Sequence, residues 1–212
     1  MPDWFRKVSW TPEDQDDFWS HHRRARKSGK AQYLRIQAGH LVGTRKPSLR
    51  EPALVLLNLL IAEFPEPAQL ACAHSQRAEI HALDGRWNEA IADFRATLAQ
   101  ERAFPKVRSN AWLDFGWFAV QTERPELYDE VSEVLRERQV DALFPIDRFR
   151  MNSIRSVIAW HRGEVAEARL FAGNALREAE RSHSGLRFHS ELGLVSEAYR
   201  SMLDQLHRIQ NG

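Results

Sequence analysis

The feature that most constrains the fold of this 212-residue chain is a repetition of its helix breakers and apolar positions at an offset of 78 residues. The breakers that correspond are Pro47 and Pro125, Pro67 and Pro145, and Gly85 and Gly163. The apolar positions that correspond are Ala53 and Val131, Leu57 and Leu135, Ala90 and Ala168, and Leu98 and Leu176. Because a stack of similar helical hairpins keeps its turns and packing positions in one register, the repetition predicts an all-α helical-repeat fold.

Start and stop signals divide the chain into about ten helices, without a convincing strand. Thr11 is a favourable N-cap for the first helix, and the second helix is expected to begin at Ala31. Pro105 is expected to open the sixth helix, and the tenth helix is expected to cover 186–207. Since most connections are short, successive helices should lie antiparallel.

Composition is that of an ordinary globular protein. Charged residues make up 28% and hydrophobic residues 43% of the sequence, so disorder is not expected. The longest apolar stretch, 53–62, is too short to span a bilayer, and the N-terminus lacks an apolar run after a basic start. The one cysteine, Cys72, excludes an internal disulfide. Together these features predict a cytoplasmic protein that binds no membrane.

Charge is unevenly distributed, although the formal net charge is only +1. Neither Asp nor Glu occurs between Asp17 and Glu51. The lysines and arginines of this interval are Arg23, Arg24, Arg26, Lys27, Lys30, Arg35, Arg45, Lys46 and Arg50. Such a stretch can bind an anionic partner, or it can be a solvated face that complements the acidic helix expected over 126–137.

The fourth and fifth helices carry a recognisable set of residues. The segment with Ala78, Gly85, Trp87, Ala90, Phe94 and Leu98 resembles a tetratricopeptide repeat. In that family a small residue of the first helix lets the second helix approach, and a glycine turns the chain between them. By the same register the first helices carry Ala38, Ala78, Gly116, Ser156 and Ser196, and their partners in the second helices are Ala53, Ala90, Val131 and Ala168. The resemblance implies a right-handed α-α superhelix of four hairpins, a TPR-like solenoid.

The resemblance covers about residues 31–208, and it has departures. The family repeats every ~34 residues, whereas the anchors here are 38 to 40 residues apart. Val131 stands where the family has alanine, which predicts a looser helix pair. The segments DWFRKVSW and QYLRIQA are also similar to those of uncharacterised bacterial proteins of this kind. The expected organisation is a single domain with an N-terminal capping segment and helix over 1–30, four hairpins over 31–182 and a C-terminal capping helix over 183–212.

In such an array the first helices line a concave groove, so the resemblance implies a partner-binding surface there. The expected groove residues are Gln32, Arg35, Gln76, Glu79, Asn110, Asp114, Trp117, Arg150, Ser153 and Trp160. This mixture suits a peptide with charged and apolar anchors. The two tryptophans are candidate aromatic anchors, with ordinary packing between repeats as the alternative. The family's basic pocket for a terminal carboxylate does not align here, so that specificity is not predicted.

Motifs for catalysis or metal binding are missing from the sequence: there is no HExxH, CxxC, glycine-rich phosphate loop or nucleophile elbow. His74 and His81 lie two turns apart on one helix face, but the histidines have no convincing ligand spacing. Glu79 and Asp114 could act as paired carboxylates, although exposed acidic residues on a binding surface are commoner. We therefore expect no catalytic residue, no metal and no cofactor.

These observations favour a non-enzymatic scaffold that binds a protein or peptide partner along the groove. A nucleic-acid-associated regulator that uses the basic stretch 18–50 is the alternative. An enzyme is a third hypothesis, and it would show a deep pocket with perturbed titratable residues. The aromatic-rich N-terminus is compatible with a homodimer.

Overall fold

The computed structural model describes residues 4–138 and 142–212, and within these ranges it is all-helical, as predicted, without a strand. The ten helices found there are α1 Pro12–Arg24, α2 Lys27–Gly43, α3 Arg50–Glu63, α4 Pro67–Leu83, α5 Trp87–Ala103, α6 Ala111–Gln121, α7 Tyr128–Arg138, α8 Pro145–His161, α9 Val165–Ala179 and α10 Arg200–Asn211. Helix α1 begins at the predicted cap, where the Thr11 side chain accepts a hydrogen bond from the Asp14 backbone. Helix α2 begins at Lys27 rather than at Ala31.

Contacts divide the chain into two compact units, Met1–Ala111 (unit 1) and Trp112–Gly212 (unit 2). In unit 1, α2 packs on α3, α4 packs on α5, and α4 also contacts both α2 and α3. In unit 2, α8 packs on α9 and α7, and α10 contacts both α8 and α9. Successive helices therefore pair as neighbours within each unit, which is what short connections between amphipathic helices produce.

Four helix ends are followed by a residue with a left-handed backbone, and the connection after that residue alternates between two types along the chain. After α2, α4, α6 and α8 one residue takes a left-handed backbone: Arg45 (φ 60°), Gly85 (φ 71°), Glu123 (φ 52°) and Gly163 (φ 76°). The two glycine turns lead directly into the next helix. The two non-glycine turns lead first into a 3₁₀ turn, Pro47–Leu49 or Pro125–Leu127. The offset of 78 residues thus reflects a repeat of two unlike hairpin turns.

Small residues allow the paired helices to approach, as the sequence predicts. Both residues of each of the four predicted pairs are buried. In one pair the Ser156 hydroxyl donates to the Ala168 carbonyl at 2.9 Å. In the pair of Gly116 and Val131, a Cβ added at the glycine would lie only 3.1 Å from the Val131 Cγ1 atom. Glycine in α6 compensates for valine in α7.

The starts of two further helices also differ from the prediction, and hydrogen bonds made by the preceding loops explain both. Helix α6 begins at Ala111 rather than Pro105, because the buried Glu101 carboxylate accepts the Ser109 backbone N–H and hydroxyl, both at 2.6 Å. Helix α10 begins at Arg200 rather than near 186. The chain before it bends over α8, where the Gly193 carbonyl accepts the Ile146 N–H at 2.8 Å. Ser196, predicted as a packing residue in a helix, is exposed and precedes the 3₁₀ turn Glu197–Tyr199.

Residues 4–10 pack against the first two helices through aromatic and backbone contacts. The Trp4 ring lies 5.3 Å from the Phe18 ring and 4.7 Å from the Tyr33 ring. The buried Gln37 amide accepts the Lys7 N–H at 3.0 Å and donates to the Lys7 carbonyl at 2.8 Å. Across the described ranges, each helix is too short or too polar to cross a membrane.

Candidate functional site

Unit 1 contains a cavity of about 440 Å³ on the exposed side of α2, and it brings together two of the predicted groove residues, Arg35 and Gln76. The lining residues are Val8, Arg35, Ile36, Gly39, His40, Gly43, Thr44 and Gln76. None of these side chains is acidic. The volume lies within the range of roughly 300–1,000 Å³ that is usual for ligand pockets.

Arg35 supplies the positive charge of this cavity. Its Nε donates to the Gln69 Oε1 atom at 2.6 Å, which holds the guanidinium across the gap between α2 and α4. Among the described residues no acceptor bonds to its two terminal nitrogens. A guanidinium with this arrangement can donate two parallel hydrogen bonds to a carboxylate or phosphate.

Gln76 supplies an acceptor to the same cavity. Its Oε1 atom is buried and has no hydrogen-bond donor among the described residues. Its Nε2 atom lies against α2, only 2.8 Å from the position that a Cβ at residue 39 would occupy. The glycine at position 39 therefore makes room for the Gln76 amide. A buried carbonyl oxygen without a donor is costly, so the Gln76 amide would be stabilised if it turned to accept an N–H group from a ligand.

The predicted groove residues of unit 2 are arranged differently, because they contact one another. The Arg150 Nη2 donates to the Asp114 Oδ1 at 2.8 Å, and its guanidinium lies 5.3 Å from the Trp117 ring centroid. The same indole packs edge-on against Tyr199, at 5.2 Å, and contacts Phe149. For Trp117 the structure thus favours internal packing, the alternative that the sequence left open.

The remaining groove residues are dispersed. Ser153 is fully buried and its hydroxyl donates to the Phe149 carbonyl within α8, so it faces no groove. Trp160 is 42% exposed and lines a second cavity in unit 2, of about 570 Å³, together with Tyr128, His161 and Arg208. The other three are exposed, namely Gln32 on α2, Glu79 on α4 and Asn110 just before α6.

A buried charged cluster escaped the sequence analysis. The Asp93 carboxylate of α5 is 2% exposed and receives hydrogen bonds from His74 at 2.9 Å and from Arg77, whose Nε and Nη2 lie 2.8 and 2.5 Å away. The His81 Nδ1 atom lies 3.1 Å from its other oxygen. Arg77 also contacts α3, where its Nη1 donates to the Asn58 Oδ1 at 2.8 Å. The signal was the spacing of His74, Arg77 and His81 on one face of α4, but nothing in the sequence indicated the carboxylate opposite them.

The electrostatics of this cluster suit a structural tie rather than proton transfer. Burial raises the pKa of Asp93, but the hydrogen bonds and charge of His74 and Arg77 outweigh it and hold that pKa below its usual value. Burial lowers the pKa of His81, against the attraction of Asp93. At neutral pH the carboxylate is therefore ionised, and it joins α4 to α5 and, through Arg77, to α3.

No family model, no curated protein and no solved structure matches the chain. The described ranges contain no group of three His, Cys, Asp or Glu side chains that could hold a metal ion. The arrangement in unit 1 can bind an anionic group that also carries a hydrogen-bond donor, and it brings together two of the predicted groove residues.

Proposed function

We propose that this chain is a non-enzymatic interaction scaffold, a divergent TPR-like array that binds a protein or peptide partner along the first helices of its hairpins. The observation that carries the proposal is the cavity beside α2, where Arg35 and Gln76 have hydrogen-bonding groups without partners among the described residues. The recurrent left-handed turn after α2, α4, α6 and α8 supports the repeat architecture that such a groove needs. We place the protein in the cytoplasm.

Selection of peptides from a displayed random library tests this function. Purified full-length protein should enrich related sequences, and a variant with alanine at Arg35 and Glu79 should not enrich them. The matched control is Arg23→Ala, since Arg23 is an exposed arginine on α1 away from the cavity. Equal enrichment by the double variant would show that the groove has been assigned to the wrong face.

A nucleic-acid-associated role is the second candidate, and exposed cations at the α1–α2 corner favour it. Arg23, Arg26 and Lys27 are exposed there, as are Arg45 and Lys46 after α2. None of the five has a carboxylate partner within the part of the chain that the structure describes. Lysines and arginines that neutralise phosphates release counterions, so binding of this kind weakens steeply with salt.

Anisotropy titrations with labelled duplex and single-stranded DNA and RNA at low salt test this second candidate. A logarithmic plot of affinity against salt should have a slope that flattens when Arg26 and Lys27 are replaced by glutamine. Failure to bind any of these probes at low salt would remove the candidate.

A further inference from the structure

The cavity beside α2 combines an excess of donors with one buried acceptor. Arg35 offers its terminal nitrogens and His40 lies on the same wall, while Gln76 offers the Oε1 atom that lacks a donor. A simple anion would satisfy the arginine but not the amide oxygen. An acidic residue within a peptide satisfies both, because it carries a carboxylate and a backbone N–H group.

A second glutamine, Gln37 on α2, already binds backbone in this way. The Gln37 amide accepts the N–H and donates to the C=O of one residue, Lys7. In an extended chain the N–H and C=O of one residue point to the same side, so one side-chain amide can bond both. Val8, the next residue of that segment, lines the cavity beside Gln76. Unit 1 therefore has one glutamine, Gln37, whose amide binds extended backbone. It has a second, Gln76, whose amide oxygen accepts no hydrogen bond from the described residues.

We propose that the cavity binds an internal Asp or Glu residue of an extended partner peptide. The side-chain carboxylate accepts hydrogen bonds from the Arg35 terminal nitrogens, and the Gln76 amide turns toward the cavity so that its Oε1 atom accepts a backbone N–H of the peptide. Ile36 and Val8 contact an apolar neighbour of the acidic residue. This inference rests on the proposed peptide-binding function and names the residue class that unit 1 recognises.

Charge and shape argue for this occupant. The cavity has no acidic lining, and six of its eight lining residues belong to the acid-free interval between Asp17 and Glu51. A Cβ added at Gly43 would meet nothing within 4 Å, so the α2 backbone is uncovered at that end of the cavity. An extended peptide can approach this part of α2 more closely than it can approach a helix face covered by side chains.

Fluorescence anisotropy with capped nonapeptides tests the inference. The probes are an acetylated and amidated positional library with central Glu, and the same library with central Gln. Wild-type protein should bind the best Glu peptide at least tenfold more tightly than its Gln counterpart. Arg35→Gln should abolish that preference, and Arg35→Lys should retain part of it. Gln76→Leu should weaken both peptides and leave their ratio unchanged, and Arg23→Gln serves as the matched control.

The outcomes separate this inference from the proposed function. Peptides that bind without a Glu preference, or with a preference that survives Arg35→Gln, overturn the inference and leave the scaffold function standing. Preference for an uncapped C-terminus over an internal Glu, or for phosphoserine over Glu, also overturns it. Failure to bind any peptide overturns both. The melting temperature of each variant is expected to match that of wild type. This control shows that a loss of binding does not come from a loss of folding.

Discussion

Arg35 in unit 1 and Arg150 in unit 2 are both arginines of the predicted groove, yet their surroundings differ. Arg150 is neutralised by Asp114 at 2.8 Å and lies over the Trp117 ring. Among the described residues, Arg35 bonds only a neutral amide, that of Gln69. The carboxylate of unit 1 that ties helices together, Asp93, is instead buried between α4 and α5.

The comparison shows that the location of the carboxylates determines which arginine can receive a ligand. In unit 1 the acidic group stabilises the hairpin from inside, and the arginine at the surface keeps its hydrogen-bonding capacity. In unit 2 the acidic group lies beside the arginine and satisfies it. The same residue type in the predicted groove is thus a candidate ligand-binding group in one unit and a structural group in the other.

The largest expected effect comes from removing the two carboxylates in turn. Asp93→Asn should lower the free energy of unfolding by about 3 kcal/mol, because Arg77 and His74 lose a buried countercharge. Asp114→Asn should cost less than about 1 kcal/mol, since its side chain is 39% exposed. Urea denaturation followed by circular dichroism measures both. Equal losses would mean that the two carboxylates do not differ in role.

Alanine at two glycines should sharpen the contrast between a packed and an open face. At Gly116 the new Cβ would lie 3.0 Å from Ile154 and 3.1 Å from Val131, so Gly116→Ala should destabilise unit 2 by about 2 kcal/mol. At Gly39 it would meet only the end of the flexible Gln76 side chain. Gly39→Ala should therefore leave stability within about 1 kcal/mol of wild type. Thermal melts of the two variants provide the test, and a larger loss for Gly39→Ala would contradict it.

Acid should weaken unit 1 through two histidines whose pKa is lowered by burial, His22 and His81. A histidine with a folded-state pKa below its unfolded value of 6.5 takes up its proton more readily when unfolded. Its contribution to stability is complete above that value and is lost as the pH falls toward the folded pKa.

The groups that act on the charge of these histidines are few. The hydrogen bond to the Lys30 backbone raises the pKa of His22, and the Lys30 charge lowers it to a smaller extent. The charges of Asp93 and Glu89 raise the pKa of His81, and those of Arg86 and Arg77 lower it. Stability measured from pH 7.5 to 5.5 should fall for wild type, and the fall should be smaller for His81→Gln. An unchanged slope in that variant would exclude His81 as a contributor.

The smallest effects should distinguish the two kinds of hairpin turn. Gly85→Ala should cost about 1 kcal/mol, since a Cβ there meets no neighbour and only the left-handed backbone opposes it. Glu123→Gly should stabilise by roughly 0.5 kcal/mol, because relief of the same backbone strain is partly offset by the greater freedom of glycine in the unfolded chain. Differential scanning calorimetry measures whether each substitution lowers or raises the stability. A loss of stability in Glu123→Gly would show that the side chain at this turn has a further role.

Features set by local chemistry were predictable from the sequence. The left-handed turns at Gly85 and Gly163 and the burial of the small residues follow from breakers and spacing alone. The start of α6 was not predictable, because it depends on Glu101, a residue of the preceding helix that binds the loop. The Asp93 cluster and the pairing of Arg150 depend in the same way on which helices meet. Arg35 and Gln76 were named from register, but only the coordinates place them in one cavity.

The two hydrogen bonds between Gln37 and the Lys7 backbone join residues that are 30 apart in the chain, so they exist only while residues 4–10 lie against α2. The Lys7 amide proton consequently reports on closure of the unit: its exchange with solvent deuterium measures how often residues 4–10 lift away from the helix.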